Sequence, residues 1–273
     1  MIPADDAGFL ELTQRISREA GLSLAGYKDK CLRRRIAVRM RACGARTYAE
    51  YQTVLQHDRE EYERLKDVIT INVTRFYRNV ETWNLVRTKL LPELCGADRP
   101  ELRAWSAGCS SGEEAYTLAM LIAEHLDAQG RADRLGLVTV DATDIDRQCL
   151  ERAQAGRYRR ESLADVPPLL ATRYFEEQGA ECRVIERVRS RVVVRASDLC
   201  VDPPPGRNYH LILCRNVVIY FDRATQERVF QTFADALAPG GFLVLGKVES
   251  LFGRARDSLM LLDPRERIYR RAA

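Results

Sequence analysis

The 273-residue chain has three histidines, and none of them has company: His57, His125 and His210 stand far apart. Its eight cysteines, at 31, 43, 95, 109, 149, 182, 200 and 214, are also scattered, with no two spaced by three. A zinc site needs clustered ligands, so no metal is expected. The cysteines inside apolar runs are read as reduced, small hydrophobes. No apolar run approaches the roughly 18 residues of a membrane span. The opening MIPADDAGFLELTQ is acidic where a secretory signal would be basic and then apolar. These absences predict a cytoplasmic protein without direct membrane insertion. The phosphate cradle G-x-G-x-x-G is missing as well, which disfavours a nicotinamide dehydrogenase. There is no internal repeat and no low-complexity segment.

The hydrophobic fraction of 46% and charged fraction of 30% are those of an ordinary globular chain, long enough for one large domain or two smaller ones. Residues 1–71 read as a separate bundle of about four helices. Phe9, Leu12, Ile16 and Ala20 keep helical spacing, and Gly21 is placed to stop that helix. Thr47 with Glu50, and Asp58 with Glu61, set a capping residue three before a Glu. No strand signal precedes residue 100.

Residues 72–273 form the second expected domain. A helix over Val80–Leu94 leads into alternating strands and helices. Leu102–Ala107 is a strand, followed by Gly108-Cys109-Ser110-Ser111-Gly112 and a helix bearing Ala115, Leu118, Ala119, Ile122 and Leu126 on one face. Further strands are predicted at Leu137–Ala142, His210–Cys214 and Phe242–Leu245, with helices at Ile145–Ala155 and Arg223–Leu237. Such alternation specifies an α/β fold with a doubly wound, mostly parallel sheet. Leu259–Leu262 and Arg267–Tyr269 suit a closing hairpin. Residues 157–195, with Pro167-Pro168 and β-like runs at Cys182–Ile185 and Val192–Val194, break the rhythm and are read as a small antiparallel β insertion.

Ligands of open parallel sheets sit at the carboxyl ends of the strands. The Gly108–Gly112 loop lets backbone approach a ligand as a helix begins, although a tight turn explains two glycines equally well. Asp144 closes a strand where a carboxylate can accept both hydroxyls of a ribose. Its rival role is the helix N-cap, which Asp146 can fill instead. Asp198-Leu199 follows Val192–Val194, where Asp198 suits an adenine amino group or simply a turn.

Whole strings carry more weight. Arg103-Ala104-Trp105-Ser106-Ala107-Gly108-Cys109-Ser110-Ser111-Gly112-Glu113-Glu114-Ala115-Tyr116 resembles the glycine motif of the chemotaxis-receptor glutamate methyltransferases, the CheR family. Ala142-Thr143-Asp144-Ile145-Asp146 and Cys214-Arg215-Asn216-Val217-Val218-Ile219-Tyr220-Phe221-Asp222 resemble two more of its motifs, and Asn72-Val73-Thr74-Arg75-Phe76-Tyr77-Arg78 is similar to its Asn-x-Thr-x-Phe-Phe-Arg segment. Pro239-Gly240-Gly241, Gly246 and Glu249 also fall where the family has them. The likeness runs from about residue 10 to the end, in the family's order. Two positions depart from the pattern, Ala115 where proline is common and Asp198 where some members have Asn.

The resemblance implies a class I, Rossmann-like methyltransferase that uses S-adenosyl-L-methionine, releases S-adenosyl-L-homocysteine and needs no metal. It implies cofactor contacts at Asn72, Thr74, Arg78, Glu114, Asp144, Asp198, Leu199, Arg215 and Asn216, and an active-site tyrosine at Tyr220. A glutamate is already an anion at neutral pH, so such a reaction needs positioning rather than a general base. Arg78 can hold that carboxylate by two parallel hydrogen bonds; without a substrate, a surface ion pair for Arg78 and a core position for Tyr220 are the plain alternatives.

Lys28, Lys30, Arg33, Arg34, Arg35, Arg39 and Arg41 lie between residues 28 and 41 against one acid, Asp29. With Leu32, Ile36 and Met40 as the buried stripe, the arginines are expected to fan over the opposite face. Such a face is usually just solvated; the resemblance implies instead that Arg33, Arg34, Arg35 and Arg39 dock an acidic methylation helix of a chemoreceptor or similar signalling protein, which would recruit a monomeric enzyme to membrane receptor arrays. A nucleic-acid methyltransferase that tracks phosphates with this helix is one rival. CRNVVIYFD lacks the Asn/Asp-Pro-Pro-Tyr/Phe signature of base methylation, and no aromatic platform interleaves the arginines. A non-catalytic module that senses the cofactor is the other.

Overall fold

The computed structural model describes residues 5–70, 72–96 and 101–272. The chain divides into two compact units, the first comprising Met1–Asn72 with Tyr220–Gln226 and the second Val73–Ile219 with Glu227–Ala273.

The first unit is helical. Asp5 caps helix α1 (Asp6–Ala20) by accepting from the Gly8 N–H at 2.9 Å, and Gly21, at φ +67°, ends it. Helices α2 (Asp29–Ala42), α3 (Tyr48–His57) and α4 (Arg59–Thr70) follow. The expected caps form: Thr47 accepts from Glu50 N–H at 3.2 Å and Asp58 from Glu61 N–H at 2.9 Å. Phe9, Leu12, Ile16, Leu32, Ile36, Met40, Leu65 and Ile69 are buried. So is Glu61, at 1% exposure, which accepts from Tyr51 Oη at 2.7 Å and from two nitrogens of Arg39.

This unit corrects two expectations. Arg35 and Arg39 do not fan outward. Both lie within one 100° helical step of the Leu32–Ile36–Met40 stripe, so their stems run along its border. Arg35 is 6% exposed, donates to Ile69 O at 2.5 Å and lies 4.3 Å over the Tyr220 ring. Arg33 is partly covered, paired with Asp6 at 2.7 Å and set over Phe9. Arg34 is exposed, and with Lys30, Val38 and Arg41 it forms the outward stripe. The second correction concerns Tyr220–Gln226, assigned by sequence to the following domain but clustering with the helices. Lys28 N–H donates to Tyr220 O at 2.9 Å, Asp222 N–H to Gly26 O at 2.8 Å, and the Tyr27 and Phe221 rings meet edge-on at 5.2 Å. No local periodicity signals a bridge between segments so distant in sequence.

In the second unit, α5 (Val80–Leu85), a π-type turn (Val86–Leu90) and α6 (Leu91–Leu94) occupy the span expected as one helix. Strands β1 (Leu102–Ala107), β2 (Val138–Asp144), β3 (Arg157–Arg159), β4 (Phe175–Gln178), β5 (Glu181–Val184), β6 (Val192–Ala196), β7 (Tyr209–Cys214), β8 (Leu237–Leu245), β9 (Leu259–Asp263) and β10 (Ile268–Arg271) build two sheets. The larger has the order β6-β2-β1-β7-β8-β10-β9, parallel from β6 to β8 and closed by antiparallel β10 and β9. Alternate residues of its strands point to opposite faces. Ala104, Val140 and Leu213 join the core that includes Leu118 and Ile122 of α7 (Glu113–Ala128), whereas Trp105 meets Phe233 of α11 (Arg223–Ala236) on the other face. Helices α8 (Arg147–Ala155), α9 (Pro168–Tyr174), α10 (Glu186–Arg189) and α12 (Ala255–Ser258) complete the unit.

The antiparallel insertion is the sheet β3-β5-β4. It ends earlier than expected: Val192–Ala196 pairs in parallel with β2 as an edge strand of the main sheet. A short valine run reads alike in either setting. Phe175–Gln178 was missed because three of its four residues are polar. Arg173 and Arg187 bind Asp127, and Arg173 also binds Glu124, joining the insertion to α7. Among the described residues no helix is long and apolar enough to cross a membrane.

Burial pushes the Glu61 carboxyl up, but hydrogen bonds from Arg39 and Tyr51 outweigh it and hold its pKa below the ordinary 4.5. The associated stability is therefore present above the unfolded value and is lost as pH falls through the lower, folded one. Arg39→Gln leaves a buried carboxylate without its guanidinium, so the full chain should lose about 3 kcal/mol, whereas the exposed Arg34→Ala should change it by no more than ~0.5 kcal/mol. Urea unfolding followed by helical circular dichroism at pH 7 measures both; equal effects would make Arg39 a surface residue.

Candidate functional site

Strand β1 ends at Ala107, and the chain turns through five residues into α7. Gly108 sits at φ +77°, where a Cβ would lie 2.5 Å from a Val217 methyl; Gly112 sits at φ +94° against Ala153 and the Tyr158 hydroxyl. Both positions require glycine for backbone conformation and for space. Ser110, also left-handed at φ 50°, donates its N–H to Asp144 Oδ2 at 2.8 Å.

Asp144, at the end of β2, takes the Asp146 N–H on its other oxygen at 3.0 Å. Asp146 in turn caps α8, accepting from Gln148 and Cys149 N–H groups at 2.9 and 3.1 Å. The capping role that the sequence left open between the two aspartates thus falls to Asp146. The Asp144 carboxylate, which also takes the Ile145 N–H, keeps acceptor capacity beyond these backbone bonds. Burial raises its pKa, opposed by the N–H groups of Asp146 and Ser110.

Strand β7 lies on the other side of β1. The strand order therefore reverses between β1 and β7, the place where doubly wound sheets open a crevice. Arg215, just past β7, is 7% exposed and pairs with Glu114 at 3.3 Å. It also donates to Arg78 O at 2.6 Å and Asn79 Oδ1 at 3.0 Å, over the Trp83 ring. Glu114 accepts from Ser106 Oγ at 2.8 Å; burial raises its pKa, and Arg215 and Ser106 oppose that rise. The guanidinium of Arg215 therefore joins the β7 end to α7 and to the Thr74–Arg78 segment.

Asn216 is left-handed at φ 62°. Glu249, 3% exposed, holds that turn by accepting from the N–H groups of Asn216 (3.0 Å), Val217 (2.9 Å) and Gly246 (2.5 Å). Asn216 Oδ1 is buried with no partner among the described residues. A buried acceptor without a donor is costly, and a cofactor carrying ribose hydroxyls and an ammonium group supplies donors. The residues present fit such a group.

At the end of β6, next to β2, Asp198 accepts from Cys200 N–H at 2.8 Å and donates its own N–H to Asp202 at 2.8 Å, so it shapes a turn whatever else it does. Leu199 beside it is half-buried. Thr74 hydrogen-bonds the Glu113 carboxylate, and Arg78 Nη1 donates to Val73 O at 2.7 Å. Eight of the expected residues (Thr74, Arg78, Glu114, Asp144, Asp198, Leu199, Arg215 and Asn216) belong to the second unit. Asn72, bonded to Thr70 Oγ1 at 3.1 Å, and Tyr220, beneath Arg35, belong to the helical unit. Sequence reasoning assigned no role to Glu113 and none to Glu249 beyond its place in a pattern. Neither lies in a periodic run that would have drawn attention to it.

Two family descriptions match the chain. "CheR methyltransferase, all-alpha domain" covers residues 7–70, and "CheR methyltransferase, SAM binding domain" covers residues 72–266. The chemotaxis protein methyltransferase of Listeria monocytogenes is 32% identical over 263 residues, spanning 96% of this chain and 97% of its own. That of Escherichia coli K12 is 32% identical over 256 residues, 90% of this chain and 85% of the relative. An uncharacterized 104.1 kDa protein of Rhodobacter capsulatus is 34% identical over 98% of this chain, which corresponds to 28% of that protein. With matches across both of its units and relatives aligned nearly end to end, the chain belongs to the CheR methyltransferase family.

Proposed function

We propose that this protein transfers a methyl group from S-adenosyl-L-methionine to glutamate side chains of a chemoreceptor-like signalling protein, forming methyl esters and S-adenosyl-L-homocysteine. One observation carries the cofactor half of this reading. The ends of three adjacent parallel strands are cross-bonded through Ser110–Asp144 and Glu114–Arg215, and they leave Asn216 Oδ1 buried without a donor.

In this reading Asp144 accepts the ribose hydroxyls and Asp198-Leu199 borders the adenine. Thr74, Arg78, Glu114, Arg215 and Asn216 surround the remainder, and the family's pattern assigns Asn72 to the cofactor as well. When bound, the cofactor supplies a sulfonium methyl for in-line displacement by a carboxylate oxygen. The acceptor is anionic at neutral pH, so the protein has no proton to remove. Arg78 holds the carboxylate, and Tyr220 adds a donor or shapes the methyl's path. Charge is neutralised as the groups react, so excluding water assists once the carboxylate is held.

For the acceptor, the exposed stripe of Lys30, Arg34, Val38 and Arg41 on α2 replaces the broader arginine face expected from sequence, and it suits an acidic helix. Arg33 borders it; Arg35 and Arg39 serve the helical unit's interior.

Asp144→Ala should weaken S-adenosylmethionine binding by about 1.5–3 kcal/mol, the worth of hydrogen bonds to a charged group; calorimetric titration measures it, and unchanged affinity removes Asp144 from the site. Label transferred from methyl-labelled cofactor to a receptor-bearing membrane fraction should become volatile methanol in mild alkali. Alkali-stable label, on protein or nucleic acid, would overturn the ester. Reversal of Lys30, Arg34 and Arg41 to Glu should leave cofactor affinity near wild type and lower kcat/KM toward receptor steeply. The salt dependence of the wild type should fade in the variant, because exposed charges are screened beyond about 10 Å in 0.1 M salt. A cofactor-competent variant that methylates receptor at the wild-type rate would reduce the stripe to a solvated face.

A further inference from the structure

The antiparallel insertion reaches both strings that flank the cofactor site. Tyr158, the central residue of β3, is 5% exposed and donates its hydroxyl to Ser111 O at 2.6 Å, inside the glycine loop. Its ring also meets Phe76 edge-on, with centroids 4.8 Å apart at 82°. Phe175, the first residue of β4, meets the same Phe76 edge-on at 5.1 Å. Phe76 is fully buried and stands midway between Thr74 and Arg78. The two strings are joined to each other at the same place: Ser111 Oγ donates to the Glu113 carboxylate at 2.8 and 3.0 Å, and that carboxylate also takes Thr74.

A packing contact alone would not demand this arrangement. The hydroxyl of a buried tyrosine requires an acceptor, and many carbonyls satisfy it. Here the acceptor lies in a turn with Ser110 and Gly112 both left-handed, closed by the Gly112 N–H donating to Cys109 O at 3.0 Å. Gly112 is shaped to the contact as well, since a Cβ there would lie 3.1 Å from the Tyr158 oxygen. Burial raises the phenol's pKa well above its usual value, so it remains a donor at any working pH.

We propose that Tyr158 is a positioning residue for the methyl donor: through the Ser111 carbonyl and the Phe76 ring it holds the glycine loop and the Thr74–Arg78 segment in their binding geometry. The inference rests on the cofactor site proposed above. It makes the insertion a wall of that site. The ring contacts set the height of the Thr74–Arg78 segment, and the hydroxyl sets the direction of the loop.

The test compares Tyr158→Phe with Tyr174→Phe. Tyr174, fully buried in α9, donates to Glu124 at 2.6 Å, about three turns along α7 from the glycine loop, so its hydroxyl bonds to neither string. Each variant loses one buried hydroxyl bond of equal length. S-adenosylmethionine affinity by calorimetry and the melting temperature of the cofactor-free protein are read for both. Tyr158→Phe should bind the donor about five- to tenfold more weakly, with a raised KM for donor and kcat at saturating donor within about twofold. Tyr174→Phe should lower the melting temperature and leave donor affinity at the wild-type value. Phe175→Leu, which keeps the hydroxyl but removes an edge contact on Phe76, should weaken donor binding about threefold and provides the reading should Tyr158→Phe fail to fold. Donor affinity within twofold of wild type in Tyr158→Phe, or equal losses in the two tyrosine variants, overturns the proposal. A wild-type protein that fails to bind S-adenosylmethionine overturns the cofactor reading itself.

Discussion

Asp144 accepting the Ser110 amide is the bond on which the arrangement of the site depends. A parallel sheet delivers its strand ends in a row, but the loops that leave those ends have no ladder to define them. Where such a loop must pass through left-handed residues, as at Ser110 and Asn216, something outside it must fix its backbone. In this protein a carboxylate does so in both cases, Asp144 for Ser110 and Glu249 for Asn216. Accepted N–H groups stabilise the ionised form of a buried acid, so each turn and its carboxylate sustain one another. The same device recurs in the helical unit, where the Asp58 carboxylate accepts the Glu61 N–H and the Glu61 carboxylate accepts from Tyr51 and Arg39.

Arginine serves two purposes along α2, and helical geometry assigns them. Positions 35 and 39 border the apolar stripe, so their long stems pack inward and their heads find Ile69 O, Tyr220 and Glu61. Positions 30, 34, 38 and 41 face away. Net charge alone cannot separate these roles, because a guanidinium counts the same whether it is committed to a buried acid or offered to a partner. A similar distinction applies to Arg215. It matches a cofactor position in the family's pattern, yet its guanidinium is bonded to Glu114, Arg78 O and Asn79, so its contribution passes largely through the residues it aligns.

Much of the architecture was legible because it rests on local periodicity. Apolar spacing of three and four marked α1 and α7, glycine marked the end of α1, and capping pairs marked α3 and α4. Errors arose where identical local sequence serves different pairings. Val192–Val194 was taken for part of an antiparallel insertion, yet its carbonyl and N–H groups pair with β2. Phe175–Gln178 went unread because a strand at the edge of a small sheet can carry mostly polar residues. Tyr220–Gln226 could not be assigned from sequence to the helical unit, since its bonds to Gly26 and Lys28 span nearly two hundred residues.

By itself the sequence determined the family, through four ordered strings, and with it the class of fold. It also marked the end of α1 and the starts of α3 and α4, since caps and glycines act over three or four residues. Tertiary structure alone decided which of two aspartates caps α8, which arginines are buried, and that Tyr158 and Glu249 bond to the turns. Those decisions depend on distances between strand ends and on burial, and both arise only when segments far apart in the chain are packed together.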